Sequence, residues 1–174
     1  LEYIVTMLRA PVLYVHGNHD KELITANGQV IDRPRGAILV DGRVERVGDL
    51  LVAGLGGSIR YLPRARYQYT EGEMWRRIAG LVPRLLWNKL RYGRYLDLLV
   101  THSPPRGIHD GDDNAHRGFA SFLTFMNIFK PRYLLHGHKH VYRQGVTWHT
   151  VYGETIVVNV YPQRVIRWER SDHE

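Results

Sequence analysis

The sequence predicts an α/β domain with mixed β-sheets, on three observations. Short apolar, β-prone runs alternate with segments whose apolar residues recur at helical spacing. Three of those runs end in a polar cluster containing histidine, at the strand ends where open α/β sheets bind ligands. The composition, 44% apolar and 24% charged, is that of an ordinary globular chain, and 174 residues suffice for one domain with its own core. No repeat, low-complexity tract or linker divides residues 1–174, so they read as a single domain.

The elements follow in order. The chain opens with Leu rather than Met. Ile4, Val5 and Leu8 share a helical face, so residues 1–8 read as the back half of a helix and the chain as a piece of a longer protein. Pro11-Val12-Leu13-Tyr14-Val15 is a short buried strand running into His16-Gly17-Asn18-His19-Asp20. Strands are expected over 37–41, 43–47 and 50–53, with Asp41-Gly42 as the hairpin turn between the first two. The third leads into Gly54-Leu55-Gly56-Gly57-Ser58, which lacks the ending of a P-loop and is expected to be a tight turn beside the site.

Residues 70–93 are expected to be helical. Thr70 and Glu73 spell a capping box, Met74, Ile78, Leu81, Leu85 and Leu86 mark an apolar face, and Pro83 should kink or split the helix. A strand over 95–101 ends at His102-Ser103-Pro104-Pro105, and a polar loop covers 106–114. A second helix, 115–129, carries Phe119, Phe122, Leu123 and Met126 at core spacing. A strand over 132–135 ends in His136-Gly137-His138-Lys139-His140, and strands over 146–152, 155–160 and 165–168 finish the chain.

Composition removes several classes of function. Without cysteine there are no disulfides, thiolate nucleophiles or Cys-based zinc sites. Any metal must use His, Asp, Glu, Asn or water, which suits Mn, Fe, Zn or Mg. No apolar run approaches the ~20 residues that span a bilayer, and no signal-peptide pattern opens the chain. The expectation is a cytoplasmic protein without a membrane partner. The net charge is +7, and basic residues concentrate between Arg60 and Arg94. That stretch reads as the solvated side of an amphipathic helix, or as a lid or nucleic-acid face.

Three clusters carry the chemistry. In Gly17-Asn18-His19-Asp20 the glycine lets backbone approach an ion, Asn18 offers a neutral oxygen ligand, and His19 beside Asp20 forms an acid with its orienting carboxylate. The plain alternative is a Gly-Asn turn. His102 is followed by two prolines that fix the backbone and hold its imidazole; alone it would also serve as a strand-end cap. In Gly137-His138-Lys139-His140, histidines two apart can face neighbouring ions, or lie in a polar turn. Arg106 and His116, in and after the polar loop, are candidates for holding a phosphate oxygen; otherwise Asp113 or Asn114 caps the second helix with His116 in its first turn.

Together these segments resemble the calcineurin-like metallophosphoesterase family in order, spacing and strand context. That family's signature ends in Gly-Asn-His-Asp/Glu, a lone His, and Gly-His-x-His. Thr101-His102-Ser103-Pro104-Pro105 and Ala115-His116-Arg117-Gly118-Phe119 are similar to segments of bacterial members.

The resemblance implies a four-layer sandwich, two mixed β-sheets flanked by helices, with the first strand or strands missing. It implies two divalent metal ions, with Asn18, His102 and His138 as ligands of one and His140 of the other. His19 would protonate the leaving group, with Asp20 orienting it. The implied activity is hydrolysis of a phosphodiester or phosphomonoester by a metal-activated hydroxide. The substrate would be a phosphorylated small molecule or nucleotide, with nucleic acid also open.

The family's upstream Asp-x-His and Gly-Asp have no counterpart before Gly17. If the chain were the whole molecule, dinuclear activity would be weak or absent. A binding or scaffold module without a complete site is the alternative.

Overall fold

The structure, a computed structural model, describes residues 6–8, 10–20, 23–24, 27–28, 30–31, 35–139 and 147–167. Its strands, in chain order, are β1 (Leu13–Tyr14), β2 (Leu23–Ile24), β3 (Val30–Ile31), β4 (Ile38–Leu39), β5 (Val44–Val47), β6 (Leu50–Leu55), β7 (Ser58–Ile59), β8 (Gln68–Tyr69), β9 (Leu98–Thr101), β10 (Tyr133–His136), β11 (His149–Tyr152) and β12 (Thr155–Asn159). Two helices are described from end to end, α1 (Glu71–Tyr92) and α2 (Ala120–Phe129), and residues 6–7 are also helical. Most of the helix expected over residues 1–8 lies outside the described residues.

The main sheet is six-stranded and mixed, in the order β11-β12-β10-β9-β6-β5. Its four inner strands are mutually parallel, and the outermost on each side are antiparallel to their neighbours. β1 and β4 form a second, parallel two-stranded sheet. This is the α/β fold with mixed sheets expected of the sequence.

Register explains the core. Ala53, Leu99, Leu134 and Val157 stand side by side across β6, β9, β10 and β12. All four are fully buried, and alternate residues of β9 and β10 are less so, as period-two side-chain geometry requires. Met74, Ile78, Leu81 and Leu85 of α1 and Phe122, Phe125 and Met126 of α2 pack on this same face.

α1 starts where its capping box says. The Thr70 hydroxyl accepts from the Glu73 amide at 3.2 Å, and the Glu73 carboxylate accepts from the Thr70 amide at 2.7 Å. It stops at Gly93, whose φ of 74° favours glycine.

Several expectations are corrected. Of the kink or split expected at Pro83, the split does not occur, and α1 runs on through it. The carbonyl it leaves without a donor belongs to Ala79 on the exposed side, where water can reach it. Leu86 lies on the outer face and is 54% exposed. The hairpin joins β5 to β6 across Gly48-Asp49, while β4 pairs with β1 instead. A Cβ on Gly54 would stand 2.5 Å from the Val40 carbonyl oxygen, so the glycine allows the chain before β5 to cross close to β6.

α2 begins at Ala120 rather than 115, because Phe119 is held extended in a bridge with Pro105. Its open amides at Ala120 and Ser121 donate to the Glu71 carboxylate at 2.6 and 3.2 Å, a cap supplied by the other helix. Residues 165–167 form no strand, and Val165 is fully exposed.

Candidate metal centre

Because β6, β9, β10 and β12 are parallel, their C-terminal ends share one edge of the sheet. His102 directly follows β9, and Gly137-His138 follow β10. The segment after β1 reaches the same edge, where the Gly57 amide donates to the His16 carbonyl at 2.7 Å. Asn18 therefore arrives beside His102.

Nε2 of His102 stands 2.8 Å from Oδ1 of Asn18 and 3.0 Å from Nδ1 of His138. The orientation of each group follows from its other partner. A carbonyl only accepts, so Nε2 of His138, 2.7 Å from the Ala115 oxygen, carries the ring proton and leaves a lone pair on Nδ1. The Asn18 amide nitrogen donates to the Tyr61 hydroxyl at 3.0 Å, which turns Oδ1 toward His102. Two lone-pair atoms thus face Nε2 of His102.

These donors fit a divalent ion. Two atoms bound at right angles to one ion at ~2.0–2.1 Å stand ~2.9–3.0 Å apart, and the two spacings here are 2.8 and 3.0 Å. An imidazole whose second nitrogen donates to a backbone carbonyl is also the usual setting of a histidine ligand. Among the described residues no three His, Asp or Glu side chains form a possible metal group; this cluster is two histidines and an asparagine.

The backbone around the cluster is tied down. Gly137 donates to the His102 carbonyl at 3.1 Å, and Val160 to the His136 carbonyl at 2.8 Å. The Asn159 side chain donates to the Lys139 carbonyl at 2.9 Å. His138 sits in the left-handed region at φ 61°, a strained position for a non-glycine residue. A Cβ on Gly17 would lie 2.9 Å from Cε1 of His102, so glycine there leaves room for the ring.

The other expected site residues are placed less uniformly. His19 is exposed next to Asn18, its Nε2 3.4 Å from the Asn18 amide nitrogen. Asp20 accepts from the Gly17 amide at 2.7 Å and from the Tyr14 hydroxyl. Burial and that carboxylate raise the Tyr14 pKa, so the phenol keeps its proton. The Asp20 contacts close the 17–20 loop and do not include His19. The His116 ring centroid lies 5.3 Å from that of His138, and its Nδ1 pairs with Asp113 at 2.8 Å. Arg106 is exposed, with no side-chain contact to the cluster among the described residues. His140 lies outside the described residues.

Three supporting features were given no role from the sequence. Tyr61, in an apparently plain Arg-Tyr-Leu run, orients Asn18. His136 and His109 form a chain behind His138. His136 Nδ1 donates to the Gly137 carbonyl at 3.1 Å, its Nε2 accepts from His109 Nδ1 at 3.0 Å, and His109 Nε2 accepts from Thr150 at 2.9 Å. Burial pushes the His136 pKa to about 3, and burial followed by the charges of His149 and Lys139 lowers that of His109. Last, His16, two residues before Asn18, is buried against Asp41 at 3.0 Å and stacked on Tyr67 at 4.3 Å between ring centroids. Asp41 also accepts from Gly56 and Arg77. Only His136 had a signal, its place at the end of a β-period run.

Fold and site define a class first: an α/β protein with an imidazole-rich cluster at its parallel strand ends. The chain belongs to the calcineurin-like phosphoesterase family, whose sequence profile matches residues 1–142. Members of that family are generally phosphoester hydrolases and typically bind divalent metals.

No curated protein matches the chain. Among solved structures, the crystal structure of TT1561 of Thermus thermophilus is similar at 19% identity and a TM-score of 0.47, covering 70% of this chain and 48% of that one. Another crystal structure is similar at 20% identity and a TM-score of 0.47, covering 72% and 46%. The chain thus spans about half the length of the structures it matches. No described helix is long and apolar enough to cross a membrane.

Proposed function

We propose that Asn18, His102 and His138 hold one divalent ion of a phosphoesterase that cleaves a phosphodiester or phosphomonoester, and that His140 serves a second ion in the whole protein. The observation carrying this reading is the hydrogen bond from His138 Nε2 to the Ala115 carbonyl, which turns the Nδ1 lone pair toward His102 and Asn18. A divalent metal held by Asn18, His102 and His138 would supply Lewis acidity and make a nearby water more acidic.

The chain's own residues supply the rest. His19, exposed beside Asn18, hands a proton to the leaving-group oxygen. Asp20 acts through the loop: by taking the Gly17 amide and the Tyr14 hydroxyl it sets where His19 stands. His116, near His138, and Arg106 hold non-reacting phosphate oxygens of a phosphorylated small molecule or nucleotide.

The test is Mn-stimulated hydrolysis of 4-nitrophenyl phosphate and bis(4-nitrophenyl) phosphate by the full-length protein. Turnover that vanishes with EDTA and returns with Mn supports the reading. Mn binding without turnover of either ester would favour a binding module on the same fold.

A further inference from the structure

A shallow cavity of about 570 Å³ opens between the loop at residues 60–69 and α1. Its lining includes four arginines, Arg60, Arg66, Arg76 and Arg77. Glu73 is the acidic residue of the lining, and its carboxylate takes Arg60 at 2.8 Å. Asp41, not among the lining residues, takes Arg77. A wall this rich in cations attracts an anion.

The cations are also held in place. Arg77 lies over the Tyr69 ring at 4.4 Å and donates to its hydroxyl at 3.0 Å, and Arg66 lies over the Tyr67 ring at 5.2 Å. The Nε of Arg77 is buried with no hydrogen-bond partner among the described residues. Planar, pre-oriented guanidinium groups suit the oxygens of a phosphate.

The cavity adjoins the metal centre through the same loop. Tyr61, whose hydroxyl takes the Asn18 amide, and Leu62 both donate backbone amides to Gln68, a residue of the cavity wall. Tyr67, another wall residue, stacks on His16, two residues before Asn18. A substrate reaching from Asn18 across Tyr61 would place a distant group here.

We propose that this cavity binds a second phosphate-class oxyanion of the substrate, so that the protein acts on phosphoesters carrying another phosphate away from the scissile bond. The inference rests on the phosphoesterase reading for its substrate, but not for its anion. Arg66, which lies over the Tyr67 ring, and Arg76 are exposed in the cavity wall, where an anion can reach them from solvent without breaking the Arg60–Glu73 and Arg77–Asp41 pairs.

The test has two arms on the full-length protein, with Arg66→Ala/Arg76→Ala and Arg66→Lys/Arg76→Lys as variants. In EDTA, inorganic phosphate binding by calorimetry should weaken about tenfold in the alanine variant, with lysine retaining part of it. With Mn, the substrates are thymidine 5′-(4-nitrophenyl phosphate) with and without an added 3′-phosphate. KM for the doubly phosphorylated ester should rise about tenfold in the alanine variant while KM for the other stays within about twofold. No phosphate binding in EDTA, or equal KM changes for the two esters, overturns the proposal. Failure of the phosphoesterase reading would look different: neither ester is turned over, while phosphate binding in EDTA persists. Phosphate binding without the KM difference assigns the cavity to free phosphate and also overturns the substrate inference.

Discussion

His138 Nε2 stands 2.7 Å from the carbonyl oxygen of Ala115, and that one contact decides which nitrogen of the ring faces His102. The Ala115 carbonyl belongs to the segment before α2, which stays out of the helix because Phe119 is bridged to Pro105. Had the helix begun at 115, that carbonyl would have been committed to a helical amide. A local departure from helical periodicity thus sets the tautomer of a candidate ligand.

His19→Gln should lower turnover in proportion to how poor the leaving group is. A positioned acid contributes ~10²–10⁴-fold when the departing oxygen needs a proton. We expect a loss of that order for an alkyl phosphoester and much less for a 4-nitrophenyl ester, with Mn affinity unchanged. Equal losses for both esters in steady-state assays would remove His19 as the acid.

Gly17→Ala should act on the metal centre more than on the fold. The new methyl would press on Cε1 of His102 at 2.9 Å, and a ring displaced from Asn18 is a poorer ligand. Misplaced support of this kind costs ~10–100-fold in metal affinity. Mn titration by electron paramagnetic resonance would show it, beside a melting temperature lowered by only a few degrees.

Metal-free stability should fall in mild acid. Burial holds His136 at a pKa of about 3, whereas an unfolded histidine titrates near ~6.5. Between those values the unfolded chain binds a proton that the folded chain does not. This contribution is therefore complete above pH ~6.5 and drains away as pH falls toward 3. Urea melts in EDTA at neutral and mildly acidic pH should show a smaller drop for His136→Gln than for the parent chain.

Leu99→Ala should destabilise the domain by ~2–5 kcal/mol, since Leu99 is fully buried between Ala53 and Leu134 beneath the helix layer. A change below ~1 kcal/mol in denaturant melts would contradict this packing.

Legibility in the sequence tracked how local each determinant was. Thr70 and Glu73 announce α1 because a capping box is a contact three residues long. The strand-end positions of His102 and His138 were legible because strand periodicity and the residues after it sit in one short window. Asp41-Gly42 misled because a turn dipeptide says nothing about which strand comes next; pairing with β1 is a long-range matter. Tyr61, 43 residues from Asn18, and the Glu71 cap on α2, 49 residues away, leave no pattern in a window of any length. The pairing of Asp20 with Tyr14 was equally hidden, since no local pattern marks a contact made across a loop.

The most direct test of the metal centre is anomalous diffraction from crystals of the full-length protein soaked in Mn. A manganese peak is expected within ~2.0–2.3 Å of Asn18 Oδ1, His102 Nε2 and His138 Nδ1, lost in His138→Ala. A peak that avoids those three atoms, or none at Mn concentrations that saturate activity, would contradict a metal held by this cluster.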